Sequence, residues 1–189
     1  MVKALDPNRA SSRSTTKSIA ELEFRPLAAD DLPLVEEWLC REHVAPWWRD
    51  DIQESLTEYR DAIDGREPTD HYLIVLDGRP IGMIQTYLVA DYPEWEEIVQ
   101  VGDGVAGIDL LIGEADQVGR GLGPRILAEF ACDVVFASTE ITACVATVEE
   151  PNRRSWRAFE KAGFVHVRDV EEEGVPCRLM RLDRATRPI

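Results

Sequence analysis

Val105-Ala106-Gly107-Ile108-Asp109-Leu110-Leu111-Ile112, followed shortly by Gln117-Val118-Gly119-Arg120-Gly121-Leu122-Gly123, is the stretch on which the reading of this chain turns. The first run is apolar at nearly every residue, as expected of a central strand covered on both faces. The second is a Gly-rich loop. After it, Ile126, Leu127, Phe130, Ala131, Val134 and Val135 recur at helical spacing. Glycines let a backbone approach a diphosphate closely. The helix start behind them offers unpaired N–H groups and the positive end of a dipole. Three glycines alone also suit a plain helix-entry turn. A P-loop needs Gly-Lys-Ser/Thr, and here the loop ends Gly123-Pro124-Arg125. A Rossmann turn follows the first strand of a βαβ repeat, whereas this loop lies beyond the middle of a mixed pattern.

Downstream stands a second motif, Asn152-Arg153-Arg154-Ser155-Trp156-Arg157-Ala158-Phe159-Glu160-Lys161-Ala162-Gly163-Phe164, a short helix closed by a glycine. The two motifs, in this order and separation, resemble the GCN5-related N-acetyltransferase (GNAT) superfamily over about residues 22–183. The resemblance implies an α+β fold with a central mixed sheet flanked by helices. It implies acetyl-CoA as co-substrate, held at Leu111, Ile112, Val118, Gly119, Arg120, Gly121, Leu122, Gly123, Asn152, Ser155 and Phe159. Three positions depart from the pattern. Val118 stands where Arg or Gln is usual, Pro124 removes an N–H donor, and Phe159 replaces the frequent Tyr that protonates the leaving thiolate.

Other stretches are similar to the aminoglycoside 6′-N-acetyltransferases. They are His43 to Trp48, Gly82 to Tyr87, Trp95-Glu96-Glu97, and Gly107 to Leu111. A carboxylate within an apolar strand costs several kcal/mol unless paired or functional, which singles out Asp109. The resemblance implies that Asp109 binds the reacting amine and helps remove its proton; the plainer reading is a structural Asp satisfied by backbone donors. Trp48, Gln85, Tyr87, Trp95 and Glu96 are the further acceptor-site expectations, with Trp47 beside them. Asp91, Glu94, Glu97 and Asp103 share the acidic stretch around Trp95. Thr147 occupies the place of a second acidic residue carried by that subfamily, and Glu149 and Glu150 lie close enough in sequence to substitute for it.

Patterning elsewhere predicts a strand from Leu22, a helix capped by Asp30 or Asp31 and running to about Leu39, and a second helix carrying Ile52, Leu56, Tyr59 and Ile63. A hairpin follows, Tyr72–Leu76 and Ile81–Val89, turning at Asp77-Gly78. Residues 91–104 read as a loop. A strand at Ile141–Ala146, a helix over 152–162 and a hairpin around Gly174 complete the pattern. Residues 1–20 read as a polar tail, and 21–189 as one N-acetyltransferase domain.

With 21 Lys plus Arg against 36 Asp plus Glu, the formal charge of −15 repels nucleic acid and anionic membrane and attracts cations. Solubility is the alternative reason for such a charge. The four cysteines are far apart and the three histidines lack ligand spacing, so a metal is not expected. No apolar run suits a signal peptide or a bilayer span, which suggests a cytoplasmic enzyme acting on a cationic small-molecule amine. The expected reaction is direct acetyl transfer to the 6′-amine of an aminoglycoside, which would confer antibiotic resistance. The rivals are acyl transfer to a siderophore's hydroxylysine-type amine and a non-catalytic acyl-CoA-binding module.

Overall fold

A computed structural model describes residues 20–184. The expected tail, apart from Ala20, lies outside them. Seven strands form one sheet in the order β1-β2-β3-β4-β5-β7-β6: β1 Leu22–Pro26, β2 Asp70–Leu76, β3 Arg79–Leu88, β4 Val105–Ile112, β5 Ala143–Glu149, β6 Val165–Glu172 and β7 Val175–Asp183. Five helices flank it: α1 Leu32–Leu39, α2 Ile52–Ile63, α3 Pro93–Val99, α4 Leu122–Asp133 and α5 Arg153–Lys161.

Strand alternation divides the core. Ala106 and Ile108 face α4 and α5, packing with Ile126, Phe130, Trp156 and Phe159. On the other face Leu111 joins Leu73, Met83, Val35 and Trp38 beneath α1 and α2. Val105 and Val145 join Leu179 and Val99 beneath α3. Asp109 lies between Val105 and Leu111 in the period-2 pattern and therefore shares their face. So do Gln85 on β3 and Thr147 on β5.

The sheet opens in one place. β4 and β5 run parallel but pair only at Val105↔Ala143, Ala106↔Cys144 and Gly107↔Val145. Beyond Gly107 the two strands part, and the β4 backbone from Ile108 onward loses its partner on that side. The parted end of β4 from Leu110 to Ile112 borders a cavity.

Several local expectations need correction. Residues 93–99 are helical rather than loop. Pro93 starts α3, Glu94 and Glu96 complement its positive end, and Trp95, Ile98 and Val99 anchor it at i, i+3 and i+4 spacing. Arg168 donates to the Val99 carbonyl (2.6 Å) at its other end. Asp31 precedes α1 but does not cap it with its side chain. Its carboxylate binds Arg25 (2.8 Å) and the Ala28 N–H (2.9 Å) instead. The capping chemistry appears at α2, where Asp51 accepts from Gln53 and Glu54. α4 stops at Asp133, and Val135 lies in a short 3₁₀ turn. β5 is shifted to Ala143–Glu149, which brings Thr147 into the sheet opposite Leu179.

Candidate active site

Two cavities adjoin at Trp48, which lines both. The larger, about 800 Å³, lies between the parted end of β4, the start of α4 and the first turns of α5. Gly119 and Gly121 both have φ +80, and no atom lies within 4 Å of where a Cβ would stand on either. The left-handed backbone demands glycine there, and the space beside it is open. Gly121 caps α4, so the first N–H groups of that helix face the same space with no cap from a side chain. Pro124 removes one of them.

α5 supplies the other wall. The Asn152 side chain accepts from the Ser155 N–H at 3.2 Å, which makes Asn152 the helix cap as well as a wall residue. The run Phe159 to Phe164 closes the helix in a Schellman motif. The Phe164 N–H reaches the Phe159 carbonyl (3.1 Å), the Gly163 N–H reaches Glu160 (3.1 Å), and the two Phe rings meet edge-on at 5.0 Å. The aromatic-Glu-Lys-x-Gly-Phe signature is thus largely a helix-stop signal, and it presents Phe159 to the cavity.

Of the residues expected to hold acetyl-CoA, Leu111, Ile112, Val118, Gly119, Gly121, Gly123, Asn152, Ser155 and Phe159 line this cavity. Arg120 and Leu122 do not. Arg120 is exposed away from it, and Leu122 packs against the core. Gly123 already belongs to α4, where its missing side chain admits Ala158 of α5. Sequence reasoning passed over the basic rim, Arg153, Arg154, Arg157 and Lys161, all exposed along the cavity. Arg153 and Arg154 stand in the first turn of α5, where the dipole disfavours cations. Such a placement suits an anionic ligand.

The second cavity, about 340 Å³, lies on the opposite face, between the cores beneath α1/α2 and α3. Asp50, Glu58, Glu67 and Glu172 line it, together with Trp48, Tyr59, His71, Gln85, Tyr87, Tyr92 and Trp95. Burial lowers the His71 pKa to about 4, so its basic group is neutral near pH 7. Desolvation, with the like charges of Asp50, Glu67 and Glu54 adding to it, raises the pKa of Glu58. The cavity is therefore a trap for cations.

Asp109 stands behind Gln85 and Tyr87. The Gln85 Nε2 donates to its Oδ2 at 3.1 Å, and the Tyr87 hydroxyl also binds it. Desolvation outweighs these two donors, with Glu172 and Asp50 adding repulsion, and the carboxyl pKa is pushed up to about 6. Tyr87 can lie over the strand because its cross-strand partner is Gly107. A Cβ there would sit 2.5 Å from the ring. Asp109 is thus paired with side chains and held ready to exchange a proton near neutrality.

Trp48 lines both cavities and donates from its indole N–H to the Tyr59 hydroxyl at 3.1 Å. Trp47, expected on the acceptor side, lines the larger cavity instead. Glu96, Glu94 and Glu97 do not line the acidic cavity, because α3 turns inward its apolar side and Trp95; Asp91 and Asp103, which flank that helix, do not line it either. Glu149 is engaged by Arg49 at 2.7 Å. The carboxylate that reaches Thr147 comes from β6: Thr147 Oγ1 donates to Glu172 Oε2 at 2.5 Å. Among the described residues no group of three or more His, Cys, Asp or Glu is arranged for a metal, and no helix is long and apolar enough to cross a membrane.

Residues 28–172 match the family model described as an acetyltransferase (GNAT) domain. The aminoglycoside N(6′)-acetyltransferase type 1 of Klebsiella pneumoniae is 31% identical over 156 residues, covering 79% of this chain and 76% of the relative. A crystal structure of the aminoglycoside acetyltransferase AAC(6′)-Ib with coenzyme A superposes with a TM-score of 0.79 at 30% identity, over 88% of this chain and 96% of that one. The same similarity holds for its complex with coenzyme A and kanamycin. A spermidine N-acetyltransferase chimera shares the fold, with a TM-score of 0.67 at 17% identity, over 87% of this chain and 96% of that one.

Proposed function

This chain belongs to the GNAT acetyltransferase family, and on that premise we propose that it transfers the acetyl group of acetyl-CoA directly to the 6′-amine of an aminoglycoside. The observation that carries the reading is the pair of oppositely charged cavities that share Trp48, with Asp109 bonded to Gln85 and Tyr87 of the acidic one. The diphosphate of acetyl-CoA lies against the N–H groups around Gly119 to Gly123, its negative charge met by the rim of α5. The polycationic acceptor enters between Asp50, Glu58, Glu67 and Glu172, and its sugar ring packs on Trp95 and Trp48.

An ammonium cannot attack a thioester. Asp109, ionised above about pH 6, takes the proton from the amine directly or through a water, and the free amine nitrogen then attacks the carbonyl carbon. Negative charge growing on the carbonyl oxygen is met by the unpaired backbone N–H groups of β4 beyond Gly107. Phe159 has no proton to give, so the departing thiolate takes its proton from water.

The test is turnover of acetyl-CoA with kanamycin, a hydroxylysine-type amine and spermidine, with the product identified by mass and NMR. Acetylation of kanamycin at the 6′-nitrogen is expected. Preference for the hydroxylysine-type amine would assign the siderophore reading instead, and CoA binding without turnover of any amine would leave a binding module.

A further inference from the structure

Glu172 differs from the other carboxylates of the acidic cavity. Asp50, Glu58 and Glu67 are exposed at the rim, whereas Glu172 is half-buried and lies close enough to Asp109 and Tyr87 to raise the pKa of each. Arg49, a basic side chain at this end of the sheet, is spent on Glu149. A Glu side chain with three free torsions needs something to hold it. Here one oxygen is taken by the Thr147 hydroxyl at 2.5 Å, a length typical of an O–H donor to a carboxylate. A carboxylate only accepts, so the hydroxyl must donate. Among the described residues no hydrogen bond engages the other oxygen, and Glu172 lines the acidic cavity.

We propose that Thr147 is a positioning residue: its hydroxyl holds Glu172 in the one orientation that offers a free carboxylate oxygen to a cationic group of the acceptor. The proposal rests on the acyl-transfer reading above and adds a specificity element to it. β5 is a sheet strand, paired with β7 at Thr147↔Leu179, so the hydroxyl is a rigid anchor. Glu172 stands beside the β6–β7 turn, at the end of a strand whose outer edge is unpaired, and has no comparable support of its own. Fixing it before binding removes the rotamer entropy that the acceptor would otherwise have to offset. The consequence is specific. Losing the hydroxyl weakens capture of the cation and leaves the acetyl donor and the chemical step alone.

The experiment uses the full chain with acetyl-CoA and kanamycin, and Thr147→Val, Thr147→Ser, Glu172→Gln and the Val/Gln double variant. Val keeps the shape and the strand preference of Thr, and thermal melting reports whether the fold is kept. The KM for kanamycin should rise roughly tenfold in Thr147→Val, the scale of one hydrogen bond to a charged group. The KM for acetyl-CoA and kcat should stay within twofold. Thr147→Ser should restore the wild-type KM. In the Glu172→Gln background, adding Thr147→Val should change little further, because the hydroxyl acts through that carboxylate. An unchanged acceptor KM in Thr147→Val, additive effects in the double variant, or a joint loss of kcat and acetyl-CoA affinity would each overturn the proposal while leaving the acetyltransferase reading standing. A wild-type enzyme that acetylates no polycationic amine would overturn that reading, and this one with it.

Discussion

The two cavities that share Trp48 are opposite in charge and built in opposite ways. The larger is made from a few continuous pieces of chain, chiefly the Gly-rich entry to α4 and the α5 segment, closed by the end of β4 and by residues 43–48, with backbone N–H groups and a basic rim. The smaller gathers single side chains from α2, β2, β3, α3, β6 and the segments between elements, and its charge comes from carboxylates. A ligand whose invariant part is a diphosphate can be met by backbone, and backbone geometry is written locally. A polycation must be met by separate carboxylates, and these can come from anywhere the fold brings them. The net charge of −15 therefore conceals a basic patch, and its sign does not describe both sites.

Removing the base should separate the cavities most sharply. Asp109→Asn should lower kcat/KM for the amine by roughly 10²–10⁴ and leave the Kd of acetyl-CoA unchanged by calorimetry. In the wild type, kcat/KM should fall as pH drops through about 6, because the carboxyl pKa stands there; the variant should lack that limb. Stability should run the other way. Folding raises this pKa from 3.8 to about 6, so the protonated form is the one favoured by folding, and wild-type Tm should decline as pH rises across that window. Asp109→Asn should not show this decline. A large loss of acetyl-CoA affinity in the variant would break the separation.

On the donor side, Gly121→Val forces a branched side chain onto a left-handed residue and into the open space beside it. The Kd for CoA should rise by an order of magnitude or more, with strain at φ +80 contributing about 1–2 kcal/mol of it. The KM for kanamycin should hold in whatever remains active. Equal weakening of both substrates would mean that the cavities are not independent.

Salt tests the segregation of charge. Because an acidic cavity faces a polycation and a basic rim faces an anion, both KM values should rise a few-fold between low and physiological ionic strength, with kcat nearly constant. A donor KM that falls with salt would show the overall charge prevailing over the local rim. The smallest effect belongs to Phe159, which is only 3% exposed and edge-on to Phe164. Phe159→Tyr adds a hydroxyl at the cavity wall, and turnover should stay equal or rise by less than about threefold if water already protonates the thiolate. A sharp fall in turnover at unchanged Tm would show that this position no longer tolerates the role a Tyr would have there.

What the sequence determined by itself was whatever is encoded in consecutive residues. β4 was legible at its observed bounds because a short apolar run between glycines, too short for a buried helix, suits an interior strand. The turn at Gly119 and Gly121 was legible because left-handed backbone selects glycine, and the end of α5 because a Schellman motif needs Gly163 with an apolar residue on each side. Asp109 stood out because a carboxylate among apolar neighbours demands an explanation. Even α3 had its signal, in Pro93 and the spacing of Trp95, Ile98 and Val99, although its acidic surface masked it. Only the tertiary structure decided which carboxylates line the acidic cavity. Glu96 is close to Trp95 along the chain but lies on a helix that turns it away. Glu172 lies 63 positions beyond Asp109 and comes near it because β6 folds back beside β7, which pairs with β5. Charge acts through space, and proximity in space between distant segments is a property of strand order and register, which no local pattern of residues records.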